Sequence, residues 1–226
     1  MPRRFVLSAS LAVATVALVV GCGAMGPSGG NAMGFFITSV NPGKGGDLGG
    51  LEGADRFCQS LATSVGAGHK TWRAYLSTAA MNGQPAVDAR DRIGTGPWAN
   101  AKGVVVATSV ADLHSANAKL GKDTSLTEKG DIVSGFGDAL NRHDILTGSR
   151  PDGTLAVPDP GKDTTCGNWT QSDGGSAIVG HHDHKGTNPD PVANASWNSS
   201  HGTRGCGIDQ LKMSGSAGLM YCFAAN

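Results

Sequence analysis

Apolar positions along this chain form one long block near the start, interrupted only by Ser8, Ser10 and Thr15, and then a few short periodic segments separated by polar stretches. The block covers residues 5–20, directly after Arg3 and Arg4, and ends in Val19-Val20-Gly21-Cys22. A basic start, an apolar run shorter than the ~20 residues of a membrane span and small residues at its end predict a secretory signal over 1–21 with a lipobox-like close. Cleavage before Cys22 frees its thiol for diacylglycerol. Each buried methylene of a fatty chain is worth about 0.8 kcal/mol, so two or three chains would anchor the protein to a membrane. Residues 22–32 are mostly Gly, Ala, Ser, Pro and Asn without charge, the composition of a flexible tether. Gly23, rather than Asp, after Cys22 fits an exported lipoprotein of the bacterial outer membrane or surface more than one of the inner membrane.

Beyond the tether the periods are those of folded elements. Residues 35–40 are apolar strand formers ended by the turn Asn41-Pro42-Gly43, which predicts a first strand. Leu51, Ala54, Phe57, Cys58, Leu61, Ala62 and Val65 recur at three- and four-residue steps, predicting a helix with Cys58 on its buried stripe that ends near Gly66-Ala67-Gly68. Alternation over 71–77 predicts a second strand, and a weaker helical pattern covers 110–120. Short apolar pieces at 154–157, 176–180 and 219–223 are candidate strands between long loops. Together they predict one α+β domain over 33–226, long enough for a single core.

Thirty-five glycines and few aromatics imply many turns, so such a domain needs staples. Formal charge is zero over the chain, and loss of Arg3 and Arg4 with the signal leaves it two units negative. Nothing in that balance steers the protein toward nucleic acid. With Cys22 set aside, Cys58, Cys166, Cys206 and Cys222 remain. Four cysteines permit three pairings, and sequence alone does not choose among them. If the last strand lies beside the first, Cys222 comes over the first helix and meets Cys58, which leaves Cys166 and Cys206 as a nested pair.

A family resemblance runs through these segments. Gly49-Gly50-Leu51-Glu52-Gly53-Ala54-Asp55, Cys58-Gln59 and Thr71-Trp72-Arg73-Ala74-Tyr75-Leu76-Ser77 resemble the start of the endostatin domain of collagen XVIII. Gly148-Ser149, Pro151-Asp152-Gly153, Cys166 with Trp169, Val179-Gly180, Cys206 and Tyr221-Cys222 resemble its second half, in order, over most of 34–224. The resemblance implies a C-type lectin-like, endostatin-like fold with long loops and two nested disulfides, Cys58 to Cys222 and Cys166 to Cys206. It also implies a module that binds: a glycan, another envelope polymer or an envelope protein.

The candidate sites are weaker than the fold. Trp197-Asn198 is similar to the Trp-Asn-Asp element of calcium-dependent C-type lectins, with Ser199 in place of the Asp. Asn188-Pro189-Asp190 stands where the family's other calcium string does not, after Cys166. The ligand-binding candidates are therefore Trp197, Asn198, Asp190, Asn188, Arg142 and His143, the last two from a stretch of mixed charge. Calcium would draw oxygens from Asp183, Asn188, Asp190, Asn194 and Asn198. Zinc would draw on His181, Asp183, His184 and His201, the most metal-like cluster in the chain. Against both stands the plainer possibility of a solvated loop whose polar side chains satisfy backbone, and no cofactor follows firmly. The zinc ligands of endostatin lie at its amino terminus, which the tether replaces here. Enzyme signatures are poor: Gly26-Pro27-Ser28-Gly29-Gly30 lies in the tether, and Pro42-Gly43-Lys44-Gly45 lacks the spacing of a phosphate loop. The alternatives to a binding module are a metal-dependent hydrolase using His181 to His184 and a structural adhesion module.

Overall fold

The computed structural model describes residues 1–2, 32–159 and 162–226, so the expected signal beyond Pro2, the lipidation site Cys22 and the tether up to Asn31 lie outside the described residues. In chain order the elements are β1 (Phe35–Ile37), α1 (Gly50–Ser64), β2 (Trp72–Ala74), a 3-10 turn (Ala89–Asp91), β3 (Trp98–Ala99), β4 (Val105–Ala107), α2 (Val110–Leu113), β5 (Asp144–Leu146), α3 (Cys166–Trp169), β6 (Ile178–His181), α4 (Pro191–Asn194), β7 (His201–Gly202), α5 (Ile208–Lys212) and β8 (Ser216–Ala224). The mixture is α+β. α3 is a left-handed turn, positive in φ at all of its residues, with the Trp169 amide donating to the Thr165 carbonyl.

β8 organises the main sheet because, at nine residues, it is the longest strand among the described residues. β1 pairs antiparallel along one edge of it, with Phe36 opposite Cys222. On the other edge β2 pairs antiparallel with its C-terminal part and β5 parallel with its N-terminal part. β6 and β7 extend the sheet antiparallel beyond β5, in the order β1-β8-β5-β6-β7. The alternation of a strand then sorts the side chains into two cores. Phe36, Met220, Cys222, Leu146 and Val179 pack with α1 on one face. Phe35, Ile37, Leu219, Tyr221, Phe223 and Ile145 pack on the other with Tyr75, Trp98 and Trp197.

α1 lays Ala54, Cys58 and Ala62 on the sheet, and both disulfides follow: Cys58–Cys222 and Cys166–Cys206, each with Cα atoms 5.7 Å apart. The nested pairing is therefore present, and it marks an oxidising, exported setting. No helix among the described residues is long and apolar enough to cross a membrane. The mixed-charge stretch knits the loops to α1. The buried Asp55 accepts two bonds from Arg92 at 2.7 and 2.9 Å, one from Arg73 at 2.8 Å and one from the Ala74 amide at 2.9 Å.

Several elements differ from expectation. The helix expected over 110–120 stops at Leu113, where Ser115 turns its hydroxyl back to the Asp112 carbonyl and competes with the helical ladder. The strand expected over 154–157 is reduced to a single bridge between Ser149 and Leu155. β3, β4, β5 and β7 were not anticipated, being too short to show a period.

Candidate metal centre

β5 opens at Asp144, and its register with β6 sets Asp144 directly opposite His181. Side chains opposite each other in an antiparallel pair share a face. β7 sets His201 opposite Val179, two residues from His181 and so on that same face. His143 completes the group from the residue before β5. His143 Nε2 lies 3.2 Å, His181 Nε2 3.3 Å and His201 Nε2 3.5 Å from Asp144 Oδ1. Ligand atoms of His143, Asp144 and His181 all fall within 4.8 Å of one another.

None of these approaches has the alignment of a hydrogen bond. Both Asp144 oxygens and His181 Nε2 are buried without a hydrogen-bond partner among the described residues. The far side of each ring explains why. His143 Nδ1 donates to the Lys185 carbonyl at 2.9 Å, His181 Nδ1 to the Asn194 carbonyl at 2.7 Å and His201 Nδ1 to the Gly202 carbonyl at 3.2 Å. A neutral imidazole that donates through Nδ1 presents a lone pair at Nε2. With neutral rings three lone pairs would face a carboxylate, an arrangement that calls for positive charge between them, from a proton or a metal ion. Backbone carbonyls that fix the tautomer of a metal-binding histidine in this way are a regular part of metal sites.

The titration behaviour shows Asp144 drawing positive charge to two of its three neighbours. The approach and charge of Asp144 raise His201 above the ordinary imidazole value against the pull of burial. Burial also acts downward on His143, but Asp183 and Asp144 together raise it. At His181 burial prevails and lowers the value. Asp183 stands behind His143, 3.4 Å from its Nδ1, and takes the Phe136 amide at 2.6 Å. Burial opposes its ionisation, yet those hydrogen bonds hold its carboxyl well below the usual range.

A zinc ion about 2.0–2.1 Å from each ligand of a tetrahedron sets neighbouring ligand atoms about 3.3–3.4 Å apart. The three approaches to Asp144 Oδ1 bracket that spacing, the mutual closeness of ligand atoms holds for His143, Asp144 and His181, and His201 stands at the edge of that trio. Two glycines make the fit possible. A Cβ on Gly186 would come 2.4 Å from His181 Cε1, and one on Gly215, whose φ is +94°, would come 3.1 Å from His143 Nε2. Above the group lies a cleft of about 250 Å³ whose lining includes His143, His181 and His201.

The expected zinc set is thus partly regrouped. His181 and His201 converge, Asp183 supports a ligand from behind, and His184 turns away, its Nε2 bonded to the Leu120 carbonyl at 2.8 Å and its Nδ1 to that of Ala195. His143, expected among ligand-binding residues, and Asp144 complete the group. The calcium and sugar candidates are split between clefts: Asp190, Trp197 and Asn198 line one of about 290 Å³, Asn188 lies with His143 in the cleft above the histidines, and most of their polar atoms are committed to the loop. Asp190 caps α4 through the Val192 amide, and Asn188 Oδ1 takes the Asp190 amide. Asn194 takes the Asn188 amide, and the buried Asn198 bonds Tyr75 and the Arg150 and Pro151 carbonyls. Trp197 is a core side chain against Tyr75 and Tyr221. Arg142 lines a separate cleft with Ser134 and Asp131.

No protein-family model matches the chain, and a search among curated proteins finds no match.

Proposed function

We propose that this protein is an exported, envelope-anchored binding domain of C-type lectin-like, endostatin-like architecture, built around a zinc-class metal centre held by His143, Asp144, His181 and His201. The observation that carries it is the buried carboxylate of Asp144, unpartnered and ringed by imidazole nitrogens whose opposite sides are committed to backbone carbonyls. Imidazole nitrogens with one carboxylate suit zinc and other late first-row ions, whereas calcium needs six to eight oxygens. The lectin-like architecture is supported by the first and last strands lying side by side and by the nested bridges. The lipid anchor at Cys22 and the outer-membrane or surface address rest on the sequence of the first residues.

A binding role is favoured over hydrolysis because, among the described residues, no carboxylate lines the cleft to accept a proton from metal-bound water. The ligand then belongs to the envelope or its surroundings, a polymer carrying groups that bind a metal. Calorimetric titration with zinc and calcium tests the centre. One zinc should bind per chain, calcium should give no heat, and Asp144→Ala should abolish the zinc signal. A flat zinc trace for the wild-type chain would remove it.

A further inference from the structure

The ligand atoms of the centre are closed off on every side but one. The side chains of His143, Asp144 and His181 are 5%, 0% and 1% exposed, while that of His201 is 31% exposed. An ion seated on the buried trio, with His201 at its open edge, therefore meets anything else it binds from the cleft. Four-coordinate zinc with three protein ligands keeps a position for such a group, and the ion can expand to five when a fourth side chain is present.

The cleft is asymmetric in charge. Asp144 and Asp183 sit behind the imidazoles, and neither lines it. Lys212 does, and the adjoining cleft of about 440 Å³, which shares His201, Thr187 and Ser214, adds Arg204. Lys212 is partly balanced by Asp209 at 3.0 Å, while Arg204 makes no ion pair among the described residues. What faces an incoming group is therefore a divalent ion with two basic side chains at the rim. Around them Asn141, Thr187 and Ser214 offer amide and hydroxyl groups, and Phe136 and Met213 expose 40% and 63% of their surfaces as an apolar flank.

Resting on the metal centre proposed above, we infer that the cleft takes an anionic oxygen group, a carboxylate or a phosphate, as a direct ligand of the ion, with Arg204 and Lys212 steering it. The fit is to an acidic residue of an envelope polymer: its charged oxygen reaches the metal, its hydroxyls meet Asn141, Thr187 and Ser214, and its carbon face lies against Phe136 and Met213. A neutral sugar has no group that answers the ion and the two cations together.

Cobalt(II) loaded into the full chain in place of zinc gives visible bands that report its coordination. Acetate and inorganic phosphate, titrated separately, should each shift the bands to saturation, and the tighter of the two distinguishes a carboxylate from a phosphate source. Glucuronate should act like acetate, and glucose should leave the spectrum unchanged. The double variant Arg204→Ala with Lys212→Ala should keep its cobalt and weaken the anion response by about tenfold, the scale of a lost charge-assisted contact. Bands that ignore acetate, phosphate and glucuronate alike while cobalt stays bound would overturn the anionic ligand and leave the metal centre standing. If no cobalt bands form at all, the centre itself is refuted and the inference falls with it.

Discussion

Asp144 is a buried carboxylate without a hydrogen bond, so in the metal-free protein it works against the fold. Asparagine has nearly the same shape and brings N–H donors that can meet the lone pairs of His181 and His143. Asp144→Asn should therefore raise the stability of the metal-free protein at pH 8 by about 1–3 kcal/mol, the usual cost of an unsatisfied buried group. It should also cancel the rise in unfolding midpoint that zinc gives the wild type, both read by chemical denaturation. A second residue titrates away from the centre. His114 accepts the Tyr75 hydroxyl at Nε2, 2.7 Å away, and burial lowers its pKa below the ordinary imidazole value. A folded-state value below the unfolded one means that its contribution is present above the unfolded pKa, about 6.5, and is lost as pH falls. The stability difference between wild type and His114→Asn should thus shrink between pH 7 and pH 5. The sequence shows all the histidines of the centre but not their grouping. His143-Asp144 looks like chance adjacency, and His184 looks closer to His181 than His201 does. What decides is the pairing of β5 with β6 and β7, a long-range register with no local signature.

At the scale of elements, α1 and β8 are legible because each carries a full period: Ala54, Cys58 and Ala62 on one stripe, and Leu219 to Phe223 alternating between two cores. β5 and β7 are three and two residues long, and no pattern can announce them. Yet they carry Asp144 and His201, so the least legible strands build the site. α1 is also tied to its neighbours by charge. Asp55 and Arg92 are 9% and 10% exposed, and removing the carboxylate strands a buried guanidinium and the Ala74 amide. Asp55→Ala should cost about 3–5 kcal/mol, measured by urea denaturation, as for other buried pairs broken on one side. Burial lowers the Arg92 pKa while Asp55 raises it in opposition, which shows how far this cation depends on its partner.

Over the whole molecule, the disulfides divide the labour. Cys58–Cys222 spans 164 residues and joins α1 to β8, closing the scaffold. Cys166–Cys206 spans 40 residues and encloses β6 and β7, hence His181 and His201. By loop-closure entropy the two are worth about 5 and about 4 kcal/mol taken singly, and less than their sum when nested. The spacing of cysteines along the sequence is enough to suggest that nested pairing, but it carries no image of the metal centre. These histidines lie outside the segments that carry the sequence resemblance, and the Trp197-Asn198 string is spent largely on packing and backbone. The most direct test is X-ray absorption at the zinc edge of the zinc-loaded full chain. The expected spectrum has nitrogen and oxygen neighbours at about 2.0–2.1 Å with the outer-shell scattering of two or three imidazoles. A shell of oxygen alone, without imidazole scattering, would contradict a centre built from His143, Asp144, His181 and His201.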